Sequence, residues 1–439
     1  MIRMKRLALP SINMFDRGKY TKSQLLFLLD AVFSNAALVL TMGFFLSGYI
    51  VLLKGSDFIT GLLNSSITWS SIIALLSILV FERRKKRKNL LITLNAVSRA
   101  LVCSIIFLPL IFKDNDLILY MAVVMVLVGN LLYGFYNIGM TVWMINLLPK
   151  ESRNNYIYTR MFWLRISFTL VTVVMGFVLD FLKKSYAGFL IVFAFSLVLS
   201  IIDIIVLTKI EEPESDQENR PKLTFSKFFD PLRSGPFRSF LVFIFLFYLT
   251  LTMSSTFTPL YLIKYLKFDY GFISGTTVFS YFIMIVCTKF WAKVQLRKGQ
   301  VFVLKITAII IILEYLINSF LRTETYFLLF LAPIFSGIGN SGFNTSIFAY
   351  RYELIPEDNR TIYEGWYCAI LGISVLIAPL LGSMLMNRLP VIQNAVYQHS
   401  NFQLLYLISF LTCAITIFVT FFIPSKFSLM VKKEIRTGL

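Results

Sequence analysis

The sequence predicts an all-α membrane protein in which twelve transmembrane helices form two pseudo-symmetric six-helix bundles. Three observations carry that expectation. Apolar residues make up 57% of the 439 residues and charged ones only 15%, a balance unlike that of soluble domains. Apolar runs long enough to cross a bilayer recur along the whole chain. Finally, the segment 137–153, NIGMTVWMINLLPKESR, returns about 207 residues later as 344–360, NTSIFAYRYELIPEDNR. Asn137 stands opposite Asn344, Trp143 opposite Tyr350, Pro149 opposite Pro356 and Arg153 opposite Arg360, with Tyr156 and Tyr363 just beyond. A membrane chain that repeats itself at half its length implies two homologous bundles with a substrate site between them.

The elements follow in order. Residues 1–23 form a basic arm (Arg3, Lys5, Arg6, Arg17, Lys19, Lys22). Six spans are expected over 24–53, 58–81, 90–112, 117–147, 157–182 and 187–207, making a first bundle over 24–208. Residues 209–237 are charged and proline-bearing, which suits a linker. Its second half sets Leu223, Phe225, Phe228, Phe229 and Leu232 among basic residues, the pattern of a short surface-lying helix or of a loop. Six further spans follow over 238–264, 270–290, 302–321, 325–349, 362–387 and 402–424, making a second bundle over 238–424, and residues 425–439 form a basic tail. A second echo, Phe58-Ile59-Thr60-Gly61 against Phe272-Ile273-Ser274-Gly275, supports the duplication. Sustained strand alternation is missing, which argues against a β-barrel.

The net charge of +19 is explained by topology. With the N-terminus inside, about 30 of the 42 Lys and Arg fall on the cytoplasmic side and about 8 outside. Such a bias is that of a cell-membrane protein with both termini in the cytoplasm. Basic clusters without aromatic stacking platforms do not suit nucleic acid. Cys103, Cys287, Cys368 and Cys413 all fall inside apolar spans without CxxC spacing and read as packing residues. No cleavable signal pattern opens the chain. The single histidine, His399, and the lack of HExxH or P-loop motifs argue against an enzyme or an ATP-driven pump and imply no cofactor or metal.

Twelve spans as six plus six, a central linker, and basic turns after the second and eighth spans resemble the major facilitator superfamily over nearly the whole chain. Its signature turn, a Gly, then an acid followed by Arg, then Gly and basic residues, is altered here. SILVFERRKKRKN keeps Glu82 and Arg83 but has Ile78 and Lys85 at the glycine places. WAKVQLRKGQ keeps Arg297 and Gly299 but has Ala292 and Leu296 for the first glycine and the acid. The stretch LLPKESRNNYIYTR resembles the turn between the fourth and fifth helices in a bacterial branch, with Arg160 on a basic place of that pattern. The fifth helix has Gly176 but not the Gly-Pro pair of many drug exporters; Gly372, Pro379 and Gly382 lie in the eleventh.

The resemblance implies that the first, fourth, seventh and tenth helices line a cavity. Their polar residues make candidate substrate contacts of Asn35, Thr41, Asn130, Tyr133, Asn137, Thr252, Ser255, Asn340 and Asn344. Tyr133 and Asn137, one turn apart, share a face. Amides, hydroxyls and rings suit a neutral or amphipathic solute, although the same residues serve helix packing. Charges inside spans are costly and few. Asp30 and Arg165 lie at similar depth and are candidates for a coupled pair. Glu314 is a lone carboxyl midway along the ninth span, and Asp180 and Asp203 sit near span ends and read as interfacial. Asp30, Arg165 and Glu314 are therefore the proton-coupling candidates, and Glu82, Arg83, Arg153, Arg297, Arg351, Glu353 and Arg360 the gating ones.

The expected function is alternating-access transport by a monomer. The first choice is a proton-linked exporter of a drug, peptide or lipid-like compound; a sugar or nutrient importer is the alternative. A third reading is a non-transporting membrane sensor or assembly factor.

Overall fold

The computed structural model describes residues 20–82, 86–148, 153–212, 228–356, 360–394 and 396–422. Those residues form helices and connections without strands. The first six spanning helices are α1 (Lys22–Leu52), α2 (57–82), α3 (Lys88–Ile111), α4 (Asn115–Asn146), α5 (Arg153–Phe181) and α6 (Tyr186–Thr208). After the linker come α7 (Gly235–Tyr265), α8 (Tyr270–Lys298), α9 (Gln300–Asn318), α10 (Leu328–Leu354), α11 (Arg360–Arg388) and α12 (Ser400–Phe422). Eleven are apolar and long enough to cross a membrane. The exception is α10, long enough at 27 residues but loaded with Gly337, Gly339, Asn340, Ser341, Gly342 and Asn344. Residues 213–227, most of the expected surface helix, lie outside the described residues. The end of the linker forms one helical turn, Asp230–Arg233, after Phe228 and Phe229 have packed their rings on Trp366 of α11.

Packing repeats between the halves. Phe27 of α1 meets Trp143 of α4 edge-on at 5.3 Å, and Phe240 of α7 meets Tyr350 of α10 edge-on at 5.7 Å. The Tyr49 hydroxyl donates to the Ile105 carbonyl at the end of α3, and that of Tyr261 to the Leu321 carbonyl beyond α9. Phe189 and Phe193 of α6 pack on Tyr49, as Phe402 and Tyr406 of α12 pack on Tyr261. Matching contacts at matching places in two segments of one chain are what duplication of a folded unit leaves behind.

Both cavity-lining helices at the duplicated position are interrupted. In α1 the break covers residues 40–42, followed by Gly43 at φ 57°, a left-handed conformation that costs glycine little. In α7 it falls at Thr256 and Phe257, ahead of Pro259, whose missing N–H cannot continue the ladder. Irregular backbone at membrane depth persists where polar neighbours satisfy it. Asn64 of α2 does so here: its amide donates to Ser47 Oγ at 2.6 Å and to the Thr256 carbonyl at 3.2 Å, linking α1, α2 and α7.

The halves meet mainly along α5–α8 and α2–α11. In α2 the helix tightens into a 3₁₀ turn at Ser70–Ile73, held between two glycines. A Cβ on Gly134 of α4 would lie 2.8 Å from the Ser70 carbonyl oxygen, and one on Gly372 of α11 would lie 2.6 Å from the Ile72 amide nitrogen. Backbone therefore meets backbone across the halves, and the Ser71 hydroxyl donates to the Cys368 carbonyl there at 2.9 Å.

Candidate functional site

Polar contacts between the halves gather at mid-depth and on the side away from the linker. Lys264 of α7 pairs with Asp57 of α2 at 2.6 Å, and the Tyr265 hydroxyl donates to the same carboxylate. Lys184, after α5, pairs with Asp269, before α8, at 2.8 Å. Asp180 accepts from the backbone amides of Tyr270 and Gly271 at 2.9 and 2.6 Å, so a carboxylate of one half caps a helix of the other. That position favours negative charge, because the first N–H groups of a helix lack intrahelical partners and carry the positive end of its dipole. Tyr270 itself is 1% exposed and enters the apolar core of the first half, against Phe44, Phe45 and Phe189. His399 packs edge-on against Tyr261 and Tyr265; burial holds its imidazole below the usual range, against a raising contact with the Tyr265 backbone.

On the linker side α2 and α11 still pack, but among the described residues α4 and α10 have no comparable packing, and Asn137 and Thr141 of α4 and Asn344 and Phe348 of α10 are exposed. The ion pairs between the halves thus lie away from the linker, while α4 and α10 leave polar residues exposed toward it. Of the other candidate contacts, Asn35, Tyr133, Thr252, Ser255 and Asn340 are half-buried. Two candidate contacts are committed to packing. Asn130 is buried and donates to Ser66 Oγ at 2.6 Å, and Thr41 is buried and donates to the Leu38 carbonyl at the α1 break.

Behind Tyr133 lies a buried charge cluster drawn from five helices. Asp30 of α1 is 0% exposed and pairs with Arg160 of α5 at 2.9 Å, while Tyr136 of α4 donates to its other oxygen at 3.4 Å. The partner is therefore Arg160 and not Arg165. Five residues along a helix turn a side chain well off the first one's face, and Arg165 points instead toward Tyr281 of α8 in the other half. Asp203 of α6 corrects a second expectation. Rather than interfacial it is 0% exposed, accepts from Asn95 of α3 at 3.0 Å, and lies close enough to Asp30 for the two carboxyls to interact. Arg99 of α3, 3% exposed, reaches Ser34 at 3.4 Å and lies 4.6 Å over the Tyr133 ring. Two acids and two guanidiniums bring the fully ionised cluster to zero net charge, which is how a membrane interior tolerates such groups. A rough guide was present in the sequence: Asn95 and Arg99 are spaced four apart on one face of α3.

The second half lacks this cluster. Carrying the duplicated contacts through, Asp30, Asp203, Arg99 and Arg160 correspond to Phe243, Thr416, Tyr315 and Tyr367. Its isolated carboxyl is Glu314 of α9, half-buried and close to Ser336, whose hydroxyl accepts from the Asn340 amide at 3.1 Å. Glu314 thereby reaches a candidate substrate residue through one intermediary.

Of the gating candidates, Arg351 pairs with Glu364 of α11 at 2.9 Å and stacks 4.0 Å over Tyr367, all within the second half. Glu353 and Arg297 are exposed at the linker-side ends of α10 and α8. Arg83 and the side chains of Glu82, Arg153 and Arg360 lie outside the described residues. The sequence reading missed Asn64, Asp57, Asp180 and Tyr270 as contacts between the halves.

The model of the family described as the MFS_1 like family matches residues 37–388. The chain belongs to that branch of the major facilitator superfamily. Its membership makes it a multi-pass membrane transporter rather than an enzyme. No curated protein matches it in sequence. Among solved structures it is similar to the nucleoside transporter NupG, at 15% identity and a TM-score of 0.68, covering 91% of this chain and 98% of that one. A D-xylose-proton symporter is similar at 14% and 0.69, covering 92% and 98%. So is a bacterial homologue of the iron transporter ferroportin in its inward-facing state, at 13% and 0.67, covering 90% and 97%. Identities this low speak for a shared fold alone.

Proposed function

We propose that this transporter exchanges protons for a neutral or amphipathic organic solute, exporting the solute, with its linker side in the cytoplasm. The carrying observation is the Asp30–Arg160 pair at 2.9 Å beside the buried Tyr136, whose ring lies against the half-buried Tyr133. A carrier coupled to protons needs a sheltered carboxyl whose charge is balanced by a partner in one state and cancelled by a proton in the other. Asp30 meets that requirement. Exchange, rather than joint transport, follows from adjacency. Solute resting on Tyr133 bears on the ring that Arg99 covers at 4.6 Å, and Arg99 belongs to the charge balance of the proton site. The solute and the proton then favour different arrangements of one cluster, and each shifts the equilibrium only by its difference in affinity between states. Basic residues concentrated on the linker side support the orientation.

A thermal-shift screen across nucleosides, sugars, peptides and amphipathic cations identifies a solute, whose flux is then followed in proteoliposomes. An imposed proton gradient is expected to drive the solute against the proton flow in the wild type. Asp30→Asn should lose accumulation while retaining gradient-free counterflow. Solute moving with the protons would reverse the direction proposed here, and full gradient-driven accumulation by Asp30→Asn would remove the coupling role of Asp30.

A further inference from the structure

Resting on the proton-coupling reading, we infer that Asp203 is the second carboxyl of the proton site, and that Asp30 and Asp203 hold a single proton between α1 and α6. Both residues are 0% exposed, and α1 and α6 pack closely. One Asp203 oxygen accepts from Asn95 at 3.0 Å, while the other, Oδ1, is buried without a donor. That carboxyl is close enough to Asp30 for the two groups to interact. Two buried carboxylates that approach so closely repel when both are ionised, and a proton on either one turns the contact into a hydrogen bond. An acceptor-only carboxylate has no other way to satisfy its buried oxygen against a second acceptor.

The surroundings fit one proton. From α5 Arg160 pairs with Asp30 and Tyr156 lies nearby; from α3 come Arg99 and Asn95; from α4 come Tyr133 and Tyr136. With two guanidiniums facing two carboxyls, binding one proton takes the carboxyl pair from two negative charges to one and the cluster from neutral to one positive charge. Asp30 then binds Arg160 less tightly. Arg160, with its side chain 13% exposed, is freed to move while the Asp30 side chain stays buried. No counterpart exists in the second half, where Phe243 and Thr416 occupy the equivalent places, so proton binding by this route belongs to the first half alone.

Infrared difference spectra of the purified full-length protein between alkaline and acid pH test this without any substrate. The proton itself is the probe, and a Glu314→Gln background removes the isolated carboxyl of α9. A protonated-carboxyl band corresponding to one proton per molecule is expected, lost in Asp30→Asn and equally in Asp203→Asn, and restored by Asp203→Glu. Asn95→Leu removes the donor that favours ionised Asp203, so the band should appear at higher pH, a readout that stands even if Asp203→Asn fails to fold. An undiminished band in Asp203→Asn, or no shift in Asn95→Leu, would overturn the shared site. If the band behaves as expected while solute flux ignores the proton gradient, the shared site stands and the coupling reading fails.

Discussion

Replacing Arg160 by Met while keeping Asp30 is expected to cost about 3–5 kcal/mol of stability, the usual penalty for leaving one member of a buried ion pair uncompensated. Asp30 is 0% exposed, and among the described residues Arg160 supplies its only ion pair, at 2.9 Å. The Tyr136 hydroxyl at 3.4 Å is too distant to replace it. Asp30→Asn alone should cost less, because a neutral amide can be buried beside Tyr136 with smaller desolvation. The double variant Asp30→Asn/Arg160→Met should recover most of the loss. Thermal unfolding in detergent across this cycle measures the coupling directly. Equal losses in Arg160→Met and in the double variant would mean that Arg160 contributes packing and not charge.

The second large effect is conformational. Tyr270 belongs to the second half yet is buried in the core of the first, and its backbone amide is held by Asp180. Gly48 is small because of it: a Cβ there would fall 1.8 Å from the Tyr270 hydroxyl oxygen. Removing a buried aromatic side chain typically costs about 3–5 kcal/mol. Here the ring bridges two bodies that move, so the loss is expected to appear as separation of the halves on the side away from the linker. At about 1.4 kcal/mol per tenfold change, Tyr270→Ala should shift the equilibrium toward the opposite-facing state by about two to three orders of magnitude. Asp180→Asn, which keeps size and removes charge, should give the same shift at smaller amplitude. Accessibility of a cysteine placed at Ser274, a buried α8 residue bonded to the Thr172 carbonyl of α5, to a membrane-impermeant thiol reagent reads both, in variants lacking the four native cysteines. Unchanged labelling in Tyr270→Ala would show that the ring only fills space.

Much of this was written locally in the chain. Spans follow from apolar runs, and the duplication from repeated turn residues such as Pro149 and Pro356. Asp30 and Glu314 stood out because a carboxyl in a long apolar stretch is conspicuous. What sequence could not supply was rotation about the helix axis. Arg160 and Arg165 are both within reach of Asp30 by depth, but only Arg160 turns toward α1, while Arg165 faces α8. Distance from a span end misled for Asp203, whose burial comes from α1 and α3 closing over it. Tyr270 and Asp180 were illegible for a related reason: they meet only once the two bundles are set against each other, a contact about 90 residues apart with no local pattern.

The most direct test of the whole account is pulsed electron–electron resonance between spin labels at Lys183 and Lys267, which lie in connections on the side away from the linker. In reconstituted wild type the distance distribution should be short at alkaline pH and gain a longer population at acid pH. In Asp30→Asn it should no longer respond to pH. A distribution indifferent to pH in the wild type, or a pH response that survives in Asp30→Asn, would contradict a carrier whose rocking is driven by protons in the first half.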